Sequence, residues 1–133
     1  MTITKQSQKA LNEAVAVLNN GGVVVCPTDT IYGFLADATN KKAVEKIYKI
    51  KKRPRSKPLP VFVKDFKMAQ DLAEISAEQK KTLKKYWPGP YTFILGLKAS
   101  SLRGTAVTKQ SKIALRISKY KFLNDLLKKI NKP

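Results

Sequence analysis

Histidine is absent from this 133-residue chain, and cysteine occurs once, at Cys26. These shortages rule out an intramolecular disulfide, a Cys/His zinc site and any histidine-dependent triad. Acids are scarce too: nine Asp and Glu stand against 27 Lys and Arg, a formal net charge of +18. There is no Walker sequence and no Gly-x-Gly-x-x-Gly, so a conventional P-loop or Rossmann nucleotide site is not expected. The chain also lacks a signal peptide and any long uncharged apolar span, which predicts a cytoplasmic protein without a membrane partner. The lone thiol fits a reducing compartment and reads as a packed small hydrophobe rather than a nucleophile. Chemistry must therefore draw on hydroxyls, ammonium and guanidinium groups, or the few carboxylates.

What is present is ordinary apart from charge. Apolar residues make up 43% and charged residues 27%, the composition of a globular chain, and the length predicts one domain over 1–133. The positive excess attracts polyanions, whether nucleic acid, nucleotides or anionic membrane surfaces, and charge alone does not choose among them. A solvated lysine surface accounts for much of the excess, but not for the cluster between residues 41 and 57.

Apolar spacing predicts a helix over about 6–20, with Ala10, Leu11, Ala14, Val15 and Leu18 on one face and Gly21-Gly22 as its stop. Val23–Cys26 reads as a buried strand ended by Pro27. A second helix fits 41–50, with Lys42, Lys46 and Lys49 outward, and 59–63 reads as the next strand. Asp65 starts a short helix, and Ser76-Ala77-Glu78-Gln79 matches a capping box opening a helix to Tyr86. Trp87-Pro88-Gly89-Pro90 breaks it. Tyr91, Phe93, Leu95 and Leu97 alternate as a two-faced strand, and 106–107 and 113–117 are short strand candidates. A final amphipathic helix covers 121–130. This order predicts an α/β domain, a twisted mixed sheet flanked by helices.

Two stretches carry the chemistry. Thr28 and Thr30 bracket Asp29 after the first strand, where capping and turn formation are the plain roles of such side chains. In Lys51-Lys52-Arg53-Pro54-Arg55-Ser56-Lys57-Pro58, the two prolines limit the backbone and hold Arg53, Arg55 and Lys57 close together. Cations so confined favour an anion, with Arg suited to bidentate phosphate or carboxylate contact and Lys acting as a point charge.

The run Pro27-Thr28-Asp29-Thr30-Ile31-Tyr32-Gly33, taken with Ile50 to Leu59, resembles the YrdC/TsaC family, the threonylcarbamoyl-AMP synthases. Trp87-Pro88-Gly89-Pro90-Tyr91-Thr92 and Ile113-Ala114-Leu115-Arg116-Ile117 resemble two more of its signatures in the same order. The resemblance covers essentially the whole chain. It implies a YrdC-like fold with a basic concave surface, and enzymes that combine L-threonine, bicarbonate and ATP into threonylcarbamoyl-AMP and pyrophosphate. A partner transferase complex then modifies tRNA.

By motif position the resemblance implies that Thr30 and Arg116 contact threonine. It gives Lys51 and Arg53 the part of a catalytic cationic pair, and Arg53 and Lys57 that of ATP contacts. ATP enters as substrate with Mg²⁺, without a tightly bound cofactor or a protein metal site. Three positions depart from the pattern. Leu35 stands where Gly is common, Lys112 where Thr is frequent, and the family continues beyond Lys132-Pro133 into a strand ending in Ser-x-Asn. The chain is accordingly read as C-terminally short. The alternative left open is a non-catalytic module binding double-stranded RNA or tRNA.

Overall fold

The computed structural model describes residues 5–98, 102, 108–109 and 111–133. In chain order its elements are α1 (Gln8–Asn19), β1 (Val24–Pro27), β2 (Tyr32–Leu35), α2 (Lys41–Lys51), β3 (Val61–Phe62) and α3 (Phe66–Leu72). They continue with β4 (Ala73–Glu74), α4 (Ala77–Tyr86), β5 (Phe93–Leu97), β6 (Thr108–Lys109), β7 (Lys112–Arg116) and α5 (Lys121–Ile130).

Local chemistry fixes the helix starts. The Ser7 hydroxyl accepts from the Ala10 N–H, Asn40 from Ala43 and Asp65 from Met68. Ser76 and Gln79 form the reciprocal capping box the sequence predicts. Each such cap contributes about 1 kcal/mol by satisfying a backbone donor that the helix itself cannot. Gly21, at φ +78°, turns the chain out of α1 in the left-handed region expected of a glycine stop.

The strands form two sheets. β1 and β2 make an antiparallel hairpin, with Cys26 opposite Gly33 and Val24 opposite Leu35. The larger sheet is mixed, ordered β3-β7-β5-β4 with β6 also on β7; β3 runs parallel to β7 and the other pairs are antiparallel. One face of this sheet, through Val61, Leu95, Leu97, Ile113 and Leu115, packs on Val44 and Ile47 of α2, Ala69 and Leu72 of α3, and Leu83 of α4. α1 and α5 form a second cluster through Leu11, Ala14, Leu18 and Leu126. Cys26 of the hairpin is buried against Leu123 and Leu127 of α5. α5 thus couples α1 to the hairpin.

The mixed α/β architecture and its helices agree with the sequence reading. Three short strands do not appear in that reading, β6 (Thr108–Lys109) among them. β2 lies inside what reads as a polar turn, because four residues with a central glycine and exposed Tyr32 and Phe34 give no core signal. β4 is two residues long, and a strand of that length has no periodicity to detect. The ladder around β3 is also shorter than 59–63, although Leu59 and Val63 flanking it are buried. The strand expected at 106–107 lies outside the described residues.

Burial pushes the Cys26 thiol up to about 11 from an ordinary value of 9.0. Only the thiolate attacks disulfide reagents. At mildly alkaline pH the native thiolate fraction should therefore be about a hundredfold below that of the unfolded chain, given these two values. Labelling with a chromogenic disulfide reagent should be slow in buffer and fast in denaturant; equal rates would contradict the packing of Cys26 on α5.

Candidate functional site

The turn joining β1 to β2 is built by its threonines. Thr28 Oγ1 donates to the Ile31 carbonyl at 2.6 Å and accepts from the Thr30 N–H at 3.2 Å, and the two threonine hydroxyls lie 3.1 Å apart. Asp29 does not serve this turn. Its carboxylate reaches the far end of β7, where it pairs with the Arg116 guanidinium and accepts from the Lys119 N–H at 3.1 Å. Ser118, fully buried beside them, accepts from the Tyr120 N–H at 3.0 Å.

Burial alone would raise the Asp29 pKa. The Lys119 N–H, the Arg116 charge and the Ser118 hydroxyl together outweigh it and hold the carboxyl below its ordinary value. Arg116 in turn lies over the Phe62 ring at 5.3 Å and within 3.5 Å of Thr30 Oγ1. Its Nε–H is buried and has no acceptor among the described residues.

The second stretch begins where α2 ends. Lys51 is the last helical residue, and Lys52, at φ 51° and ψ 40°, turns the chain away. The following loop is tied to itself. Arg53 N–H donates to the Tyr48 carbonyl and Lys57 N–H to that of Pro54, while the Tyr48 hydroxyl donates to the Lys57 carbonyl at 2.8 Å. The Arg53 side chain donates from Nε to Lys57 O and from Nη2 to Pro58 O, each at 3.2 Å. Arg55 pairs with exposed Glu45 on α2.

Between the hairpin, the β3–β7 edge and α5 lies a hollow of about 300 Å³. Thr28, Thr30, Lys51, Thr92 and Arg116 are among its polar lining, with Phe62 and Leu127 on the apolar side. Three of the residues singled out from the sequence, Thr30, Lys51 and Arg116, therefore meet around one space. Arg53 and Lys57 are not among its lining residues. Lys132 also lines it, but its ammonium lies 3.4 Å from buried Asp37. Among the described residues, Lys51 is the lining cation without an acidic partner. A small anion entering here meets the Lys51 ammonium, the Arg116 guanidinium and the hydroxyls of Thr28, Thr30 and Thr92.

Residues 16–133 match the family named Sua5/YciO/YrdC and described as "Telomere recombination". The chain belongs to the Sua5/YciO/YrdC family. It is 40% identical over 106 residues to a threonylcarbamoyl-AMP synthase of Bacillus subtilis, covering 79% of this chain and 31% of that protein. It is 35% identical over 128 residues to one from Vibrio vulnificus, covering 92% and 67%. Among solved structures, P. abyssi Sua5 in a complex with L-threonine superposes with a TM-score of 0.85 at 27% identity, over 98% of this chain and 38% of that one. A variant of the same protein gives 0.91 at 27% identity, over 100% and 42%. The chain thus spans about a third to two thirds of the length of these family members.

Asp29, which motif reading gives only a turn-forming part, is the residue that ties the threonine turn to Arg116. The signal for it was available: in a chain with nine acids, a carboxylate at the end of an apolar strand needs a cation. Asp29→Asn should destabilise the protein by about 3 kcal/mol, since it leaves a buried guanidinium unpaired. The sign with pH follows from the lowered pKa. Asp29 contributes fully above its ordinary value of 3.8 and loses its contribution as pH falls below it. Urea unfolding should accordingly show a gap between wild type and variant at pH 6 that closes towards pH 3; a gap independent of pH would refute the ion-pair account.

Proposed function

We infer that this chain carries the threonine- and nucleotide-binding part of a threonylcarbamoyl-AMP synthase. The observation that carries the reading is the meeting of Thr30, Lys51 and Arg116 around one hollow, in a chain 35–41% identical to proteins named for that activity. In this reading the threonine amine takes up bicarbonate with loss of water, giving a carbamate. A carbamate oxygen then attacks the α-phosphorus of ATP, the bond to the β-phosphate oxygen breaks, and pyrophosphate leaves.

Each residue has a role that its chemistry suits. Thr30 and Arg116, which both line the hollow, hold threonine. Lys51 faces the phosphate or carboxylate, since it is the lining cation without an acidic partner among those residues. Arg53 and Lys57 act from the loop on the outer phosphates. As built, Arg53 stiffens that loop, so its contact with ATP would exchange a carbonyl for a phosphate oxygen. Charge building around phosphorus is stabilised by these preorganised cations, with no protein nucleophile or histidine base required. Mg²⁺ arrives on the ATP phosphates, as is usual for a cation that keeps most of its own water. Downstream, a transferase complex moves the threonylcarbamoyl group to tRNA in the cytoplasm. No helix among the described residues is long and apolar enough to cross a membrane.

The test is a pyrophosphate-release assay on the 133-residue chain. Release should require threonine and bicarbonate together. Lys51→Ala with Arg53→Ala should abolish ATP binding by calorimetry while leaving the far-ultraviolet circular dichroism intact. Unchanged nucleotide affinity would reject both assignments, and release without threonine would reject the reaction.

A further inference from the structure

The threonines around the hollow differ in whether they have a proton to give. A hydroxyl carries one proton and two lone pairs. Thr28 Oγ1 uses its proton on the Ile31 carbonyl at 2.6 Å and accepts from the Thr30 N–H at 3.2 Å. The 3.1 Å contact between the two hydroxyls must therefore be made with the proton of Thr30. These three bonds saturate Thr28. Thr30 keeps only lone pairs, and its oxygen lies 3.5 Å from both terminal nitrogens of Arg116. Neither hydroxyl of the turn can donate to a guest without breaking the turn that positions it.

Thr92 also lines the hollow. It is exposed, and among the described residues its hydroxyl forms no hydrogen bond. Such a hydroxyl is ordinarily just solvated, but Thr92 differs in how firmly it is held and in what it is held beside. Just before it, the Tyr91 carbonyl accepts from Trp87 Nε1–H, and the turn ahead of that is pinned by Gly89 N–H on the Ile117 carbonyl, both at 2.8 Å. Just after it, Phe93 enters β5 opposite Leu115 of β7. Carried one residue further, that antiparallel register sets Thr92 across from Arg116, on the same face of the sheet. On the other flank Phe62 pairs with Arg116 in the β3–β7 register, and its ring lies under the guanidinium. Phe62, Arg116 and Thr92 thus form one row across the end of the sheet, and all three line the hollow. A β-branched side chain on so constrained a backbone has few rotamers to lose on binding.

We propose that Thr92 is a further substrate-binding residue, whose hydroxyl donates to the carboxylate of the substrate L-threonine; this rests on reading the hollow as the threonine site. A carboxylate is the natural partner of a guanidinium, and a group seated on Arg116 meets the residue across the strand from it. Ionised carboxylate oxygens only accept, with about four lone-pair sites between them. Arg116, already met by Asp29, fills only some of these. The proton inventory then divides the hydroxyls by task. Thr92 serves an anionic oxygen, whereas Thr30 serves a group with a proton to give, the amine or the hydroxyl of the amino acid. A site with donor and acceptor so placed selects its substrate by the bonds that an analogue would leave unmade.

The test is calorimetric titration of L-threonine, and separately of ATP, into the 133-residue chain and two variants. Thr92→Val keeps the branched shape and removes the hydroxyl. It should weaken L-threonine binding about tenfold or more, the effect expected when a charged acceptor loses its donor. ATP affinity and the urea midpoint should not move. Thr92→Ser restores a hydroxyl and should return L-threonine affinity to within about threefold of the unaltered chain. L-α-Aminobutyrate keeps the amine and carboxylate of threonine but lacks its hydroxyl, and Thr92→Val should weaken it by the same factor. Unchanged L-threonine affinity in Thr92→Val would overturn the proposal and leave the threonine site standing, as would Thr92→Ser binding as weakly as Thr92→Val. A penalty that vanishes with L-α-aminobutyrate would also overturn it, by moving Thr92 to the substrate hydroxyl. An unaltered chain that binds no L-threonine would instead overturn the reading of the hollow, and the proposal with it.

Discussion

The bond between Asp29 and Arg116 joins two sheets that share no backbone hydrogen bond in their ladders. A two-stranded hairpin of four-residue strands is marginal in water, and among the described residues β1–β2 has no third strand beside it. Two things hold it: Cys26, Val24 and Leu35 on α5, and the Asp29 carboxylate on the far end of β7. The apolar contact fixes how deep the hairpin sits, and the ion pair fixes where its threonine turn points. Because Arg116 ends β7 and Lys119 lies just past it, the turn is set over the end of that strand and borders the hollow. Removing this tether would leave the hairpin on α5 with its hydroxyls free to drift from the cations.

A comparable division of labour runs through the basic loop after α2. Seven positions from Lys51 to Lys57 hold five cations, but they act differently. Arg53 and the Tyr48 hydroxyl satisfy the loop's own carbonyls, and Arg55 is drawn off by Glu45. Lys51, held on the last turn of a helix whose inner face is buried, is the cation that remains for a guest in the hollow. The loop's rigidity thus owes as much to guanidinium–carbonyl bonds as to Pro54 and Pro58.

Much of the fold could be read from the chain because the large elements carry strong local signals. α5 has an apolar face that repeats at helical spacing, and α4 announces itself through Ser76 and Gln79. The short strands β2 and β4 could not be read, since their existence depends on partners rather than on their own pattern. Of the motif residues, Thr30, Lys51 and Arg116 meet around one hollow, while Arg53 and Lys57 are not among its lining. The Asp29–Arg116 pairing was beyond reach. It links positions 87 residues apart, and no local rule says which cation a strand-end carboxylate will choose. The inward role of Arg53, bonding its own loop, was hidden for a similar reason. A cation near prolines looks like a ligand contact until the carbonyls around it are counted.

The charge balance explains how a chain of net +18 keeps a small anion site distinct from its general surface. Long-range attraction between exposed lysines and an anion is screened over about 8 Å in physiological salt, so bulk charge steers but does not select. Selection needs cations whose neighbours leave them a defined direction. Around the hollow, Asp29 and Asp37 sit against the lining cations Arg116 and Lys132, which lowers the local excess rather than raising it. What is left is the Lys51 ammonium, beside an Arg116 guanidinium whose charge Asp29 already meets. A site with every cation unpaired would take any anion, and would repel itself apart when empty. By neutralising most of the lining charge, the few acids of this chain make the remaining positive groups specific in position, which is why so acid-poor a sequence still places carboxylates here.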